Sequence, residues 1–75
     1  MNLNLNREKS RELALQLLEG KEVKVSYKGK SYQSRVLGRE LEYPLVWIRE
    51  LDIDFEFSWQ AILRCLQQGR VLIAD

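Results

Sequence analysis

Residues 21–37 contain two stretches in which apolar and polar side chains alternate, and this pattern restricts the possible folds strongly. Alternation with a period of two predicts strands that bury one face. The segment Lys28-Gly29-Lys30-Ser31 separates the two stretches and supplies the glycine that a two-residue hairpin turn needs. Residues 21–37 are therefore predicted to form a β-hairpin, and the fold is expected to contain an antiparallel sheet.

The turn type determines the predicted register of this hairpin. A type II′ turn has glycine as the first of its two central residues, and Gly29-Lys30 fits that requirement. The resulting register places three cross-strand pairs on one face: Tyr27–Tyr32, Val25–Ser34 and Val23–Val36.

Two segments have the apolar spacing of amphipathic helices. Residues 7–19 and residues 59–68 both place apolar side chains at i, i+3 and i+4 intervals, which puts them on one helical face. Each segment is preceded by a residue that can cap a helix and followed by a glycine that can end one. These residues are Asn6 and Gly20 for the first helix, and Ser58 and Gly69 for the second.

Three further strands are predicted. Residues 45–48 are apolar at every position and are expected to form an internal strand, and residues 71–74 form a short final strand. Residues 53–57 alternate and contain Phe-Glu-Phe, which favours a strand. A helix remains an alternative there, with Asp54 as its cap and one apolar face made of Phe55, Trp59, Ile62, Leu63 and Leu66.

These elements predict an α+β fold with a mainly antiparallel sheet of four to five strands. One helix precedes the sheet, and a second helix precedes the last strand. The sheet is expected to be either open or curled into a small barrel of the SH3-like or Sm-like kind. The 75 residues suffice for one domain, residues 1–75, in which residues 1–6 are left unassigned because chain ends often fray. Trp47 and Trp59 are both predicted to lie in the core.

The composition argues against several kinds of chemistry. The chain has no histidine and a single cysteine, Cys65, so neither a disulfide, a zinc site nor a nucleophile activated by histidine is expected. We therefore expect no catalytic residues, no metal and no cofactor. The sequence has no apolar run long enough for a membrane span and no signal-peptide pattern, so a cytoplasmic protein without a membrane partner is expected.

Three carboxylates at alternate positions form the one acidic motif. Asp52, Asp54 and Glu56 would point the same way along a strand and could present oxygen atoms to Mg²⁺ or Ca²⁺. The alternative is the solvent-facing side of a half-buried strand, which we favour because short motifs of this kind are weak evidence.

Charge is segregated along the chain although the net charge is only +1. Residues 21–39 carry six basic side chains and one acidic side chain, whereas residues 40–57 carry six acidic side chains and one basic one. In the predicted register Lys24 faces Arg35, and such a like-charge pair needs compensation. The acidic segment could supply it by forming a surface charge ladder beside the hairpin, which is the favoured interpretation. An external anion such as nucleic acid could supply it instead, through contacts with Lys24, Lys28, Lys30, Arg35 and Arg39.

Three functions follow as hypotheses. The first is a non-enzymatic interaction or regulatory module whose partner is a protein, either another chain or a second copy of itself. The second, less favoured, is a nucleic-acid-binding module that uses the basic hairpin of residues 21–39. The third, least favoured, is a metal-dependent enzyme that uses the carboxylates of residues 52–56.

Overall fold

The structure, a computed structural model, describes residues 7–74 as two helices and five strands. Their order is α1 (Arg7–Leu18), β1 (Val23–Tyr27), β2 (Lys30–Leu37), β3 (Leu45–Ile48), β4 (Ile53–Glu56), α2 (Trp59–Gln68) and β5 (Leu72–Ala74). The predicted α+β class and the positions of both helices are confirmed. Residues 1–6, including the predicted cap Asn6, lie outside the described residues.

The five strands form one sheet in the order β4-β3-β2-β1-β5. Neighbouring strands are antiparallel except β1 and β5, which are parallel. The sheet is curled into a half-barrel, and the rings of Tyr27 in β1 and Phe55 in β4 approach to 5.2 Å between centroids. The curl therefore brings β1 and β4 together over the apolar face.

The register of the hairpin differs from the predicted one by two residues. Tyr27 pairs with Lys30, and Val25 pairs with Tyr32. The turn is Lys28-Gly29, in which both residues have positive φ, 51° and 79°. Type I′ turns require this combination, so glycine occupies the second central position and not the first. A shift of two residues leaves every side chain on its predicted face but changes its partner.

The change of register removes the predicted contact between like charges. Lys24 faces Gln33 instead of Arg35. The predicted repulsion between Lys24 and Arg35, which would have needed a compensating anion, is therefore absent.

One face of the sheet carries the core. Its buried strand residues include Val25, Val46 and Ile48, and they form one cluster with Trp59 and Ile62 of α2. Helix α2 packs against β1 and β5, and α1 packs on α2. Both helices thus contribute to the same side of the sheet.

Helix α2 has well-defined ends that agree with the sequence prediction. The Ser58 hydroxyl accepts a hydrogen bond from the Ala61 amide at 3.1 Å, and Gly69 ends the helix with φ 70°. Because Ser58 caps this helix, residues 53–56 are free to pair as β4, and the alternative helix beginning at Asp54 is wrong.

The connection between β2 and β3 is held by polar contacts from both helices. The buried indole of Trp59 donates a hydrogen bond to the Leu41 carbonyl at 3.0 Å. The Arg11 Nε donates to the Arg39 carbonyl at 2.8 Å, and Arg7 forms an ion pair with Glu42. Trp59 therefore fixes a loop as well as filling the core, which confirms its predicted place there.

Trp47 does not lie in the core, and that prediction is wrong. Its neighbours Val46 and Ile48 are buried, whereas Trp47 is half-buried on the opposite face of β3. Strand β3 is internal as predicted, but alternation sends every second apolar side chain away from the helices. Neither helix among the described residues has the length and apolarity needed to cross a membrane.

Candidate functional site

The face of the sheet opposite the helices, called the outer face here, carries an ordered arrangement of charged and aromatic side chains. The strand register places Arg35 of β2, Trp47 of β3 and Asp54 of β4 in one cross-strand row. Neighbouring strands lie about 4.8 Å apart, so Trp47 separates the cation from the carboxylate by two strand spacings. The tryptophan thus stands between opposite charges.

A second row beside the first is apolar in the middle of the sheet. Leu37 of β2 faces Leu45 of β3, which in turn faces Glu56 of β4. Leu37 is 39% exposed, and Leu45 is half-buried. Leu37, Leu45 and Trp47 therefore form a small apolar centre, and we call this centre with its charged flanks Arg35, Asp54 and Glu56 the pairing patch.

The turn between β3 and β4 holds the indole of Trp47. Asp52 has a positive φ of 53°, and its carboxylate accepts a hydrogen bond from the Trp47 indole N–H at 3.0 Å. Aspartate tolerates this left-handed conformation better than most residues do. The bond fixes the orientation of a partly exposed ring, which lowers the entropy lost when that ring contacts a partner.

The acidic motif is not assembled as a metal site. Asp52 bonds Trp47 from the turn, while Asp54 and Glu56 occupy the outer face of β4. Among residues 7–74, no group of three or more potential metal ligands is close enough to hold an ion.

The five basic residues predicted as anion contacts are not brought together in one patch. Lys24 and Arg35 lie on the outer face. Lys28 and Lys30 lie at the hairpin tip, where their ammonium groups stand 5.3 and 5.4 Å from the ring centroids of Tyr27 and Tyr32. Arg39 follows the opposite end of β2, roughly 25–30 Å from the tip by strand length.

The predicted charge ladder is not present. Strand β3, which carries no charge, lies between β2 and the acidic strand β4. In the described part of the chain the ion pairs are Arg7–Glu42 and Lys9–Glu12, and neither involves the hairpin. The hairpin cations are thus not neutralised by direct ion pairs with the acidic segment.

Two neighbouring clefts open on the outer face. The first, of about 540 Å³, is lined by residues that include Gln33, Arg35, Trp47 and Arg49. The second, of about 700 Å³, lies towards the start of β1 and shares Glu22, Gln33 and Arg35 with the first. Its remaining lining residues are Gly20, Lys21 and Arg39.

The sequence did not lead us to predict that Trp47, Leu37, Leu45 and Arg49 belong to a candidate site on the surface. The signal was present for three of them, because Leu37, Leu45 and Trp47 alternate with the buried Val36, Val46 and Ile48. Strict alternation would have placed them on the outer face.

Comparisons with protein-family models, with curated proteins and with solved structures found no match to this chain.

Proposed function

We propose that this chain is a non-enzymatic interaction module that associates with a second copy of itself through the pairing patch. The observation that carries the proposal is the row Arg35–Trp47–Asp54, in which opposite charges lie at equal strand spacings on either side of an aromatic ring. The expected cytoplasmic location remains part of this proposal.

The row Arg35–Trp47–Asp54 is self-complementary under one symmetry operation. A two-fold axis parallel to β3, placed between two outer faces, brings Trp47 opposite Trp47 of the second copy. The same rotation brings Arg35 of each copy opposite Asp54 of the other. Closed pairs of this isologous kind are the commonest homo-oligomers, because both copies use the same surface.

The chemistry of the patch resembles that of an interface. Apolar side chains occupy its centre and charged side chains its rim, as in many protein–protein contacts. The net charge of +1 means that two copies repel each other little over long distances. The patch is small and the sheet is curled, so we expect a reversible dimer with a dissociation constant in the high micromolar range.

Arg35→Glu tests the proposal. In the symmetric pair this variant replaces two attractive contacts by two repulsive ones, each worth about 0.2–1 kcal/mol, so self-association should weaken by about tenfold. Sedimentation equilibrium over a range of protein concentrations measures the effect.

Arg64→Glu is the matched control, because Arg64 is exposed on α2 and receives the same change of charge. It should leave association unchanged. A wild-type chain that remains monomeric at millimolar concentration would overturn the proposal, as would equal weakening by both variants.

A further inference from the structure

The two clefts on the outer face adjoin one another, because both are lined by Glu22, Gln33 and Arg35, and together they are called the groove. One end of the groove lies between Lys21 and Arg39. The other end lies beside Trp47 and Arg49. The groove therefore runs from a cationic end, past Arg35, to an aromatic ring.

The groove has more positive than negative side chains. Its cations are Lys21, Arg35, Arg39 and Arg49, and its carboxylates are Glu22 and Glu50. Within residues 7–74 no carboxylate forms an ion pair with any of these four cations. Three of the four converge in the cleft of about 700 Å³, where they can donate hydrogen bonds to an anion.

Arginine is well suited to this role, since its planar guanidinium can donate two parallel hydrogen bonds to phosphate oxygens. The Arg39 carbonyl accepts a hydrogen bond from Arg11 of α1, which ties the backbone at that position to the helix. The cationic end of the groove thus includes a residue whose main chain is anchored.

The aromatic end determines in which orientation a ligand can lie in the groove. Trp47 faces Arg35 on one side and Asp54 on the other. The Asp54 carboxylate repels a phosphate, so the phosphate belongs on the Arg35 side of the ring. The ring itself offers a surface for a flat base, and its N–H is already bonded to Asp52.

We propose that this groove binds a nucleoside phosphate group, with the base stacked on Trp47 and the phosphate held by Arg35 together with Lys21 and Arg39. A free nucleotide and a unit of a single-stranded nucleic acid present the same chemistry. Lys21 and Arg39 lie outside the pairing patch, so binding of the phosphate does not depend on self-association. Arg35 and Trp47 belong to both surfaces, and a bound strand therefore excludes a second copy.

The test follows the two indole N–H signals and the backbone amides by NMR at low salt. The probes are an oligothymidylate strand, thymidine monophosphate and inorganic phosphate. At least one of the two thymidine-bearing probes should shift the Trp47 indole signal, and it should leave the signal of the buried Trp59 in place. Inorganic phosphate should move amides near Lys21, Arg35 and Arg39 only. A response to the strand without one to the mononucleotide identifies the polymer as the ligand, and the reverse identifies the free nucleotide.

Two double variants with equal change of charge locate the site. Lys21→Glu with Arg39→Glu should weaken binding by about tenfold or more, since charge-driven binding depends on each phosphate contact. Lys28→Glu with Lys30→Glu, at the hairpin tip, should have a much smaller effect. The proposal is overturned if neither thymidine probe shifts the Trp47 indole signal, or if the tip variant loses binding as fully as the groove variant.

Sedimentation distinguishes the proposed nucleotide binding from the proposed self-association. The Lys21→Glu/Arg39→Glu variant should still associate like the wild type, because both residues lie outside the pairing patch. A chain that binds the strand but never self-associates refutes the pairing proposal alone.

Discussion

The two tryptophans occupy opposite faces of the same curled sheet. Each donates its indole N–H over 3.0 Å, but Trp59 is 0% exposed and bonds a main-chain carbonyl, whereas Trp47 is half-buried and bonds a carboxylate. Trp59 lies where helix, sheet and loop meet, so its contacts hold the fold together. Trp47 lies on the face away from the helices and has charged residues on either side. The same residue type thus stabilises the fold on one face and, in the proposed pairing, contacts the second copy on the other.

Truncation of Trp59 should produce the largest effect on stability. Trp59→Ala removes a fully buried ring and leaves the Leu41 carbonyl without its donor. Loss of a buried aromatic side chain typically costs about 3–5 kcal/mol, a large share of the stability of a domain this small. Urea unfolding followed by circular dichroism would measure it, and a cost below that of Trp47→Ala would contradict the assignment of Trp59 to the core.

Gly38→Ala should produce an intermediate effect. Gly38 has a φ of 66°, and an added Cβ would lie 2.7 Å from Cδ1 of Leu41, whose carbonyl Trp59 bonds. Conformational strain alone costs about 1–2 kcal/mol, and displacement of Leu41 adds to it. Urea unfolding measures the total.

Gly20→Ala is the matched control for Gly38→Ala. Gly20 has a φ of 70°, but nothing lies within 4 Å of an added Cβ. The difference between the two unfolding free energies reports the steric contribution at the loop. Equal costs would mean that the loop adapts freely and that Trp59 does not hold it tightly.

Trp47→Ala should have the smallest effect on stability and the clearest effect on association. The ring is half-buried and lies outside the core cluster, so the free energy of unfolding should fall by about 1 kcal/mol or less. Self-association should be lost because the centre of the pairing patch is removed. Unfolding and sedimentation measured on the same preparation separate the two effects, and a stability loss as large as that of Trp59→Ala would show that the outer face is part of the core.

Much of the fold follows from local sequence signals. The bounds of α2 were predictable because Ser58 and Gly69 satisfy the exposed backbone groups at the two helix ends. The position of the hairpin was predictable from alternation, which depends only on the period of the side chains. Strand β4 was favoured over a helix by Phe55 and Phe57, and this prediction is confirmed.

Other features depend on backbone conformations and strand pairings that local sequence patterns do not determine. Gly29 fits either position of a two-residue turn, and the left-handed conformation of Lys28 decides between the two registers. The parallel pairing of β5 with β1 joins segments about fifty residues apart, and Ile73 at this edge is 70% exposed. Arg35 is separated from the carboxylates of β4 because β3 lies between β2 and β4 in the sheet.

The most direct test of the proposed pairing is sedimentation equilibrium on an equimolar mixture of two variants, Arg35→Glu and Asp54→Lys. Each variant alone should associate about tenfold more weakly than the wild type, since like charges face each other at both symmetric contacts. In the mixture, the glutamate introduced into one chain faces the lysine introduced into the other, and the unchanged Asp54 of the first chain faces the unchanged Arg35 of the second. A heterodimer should therefore form with nearly wild-type affinity. A mixture that stays monomeric at concentrations where the wild type associates would contradict the proposed pairing.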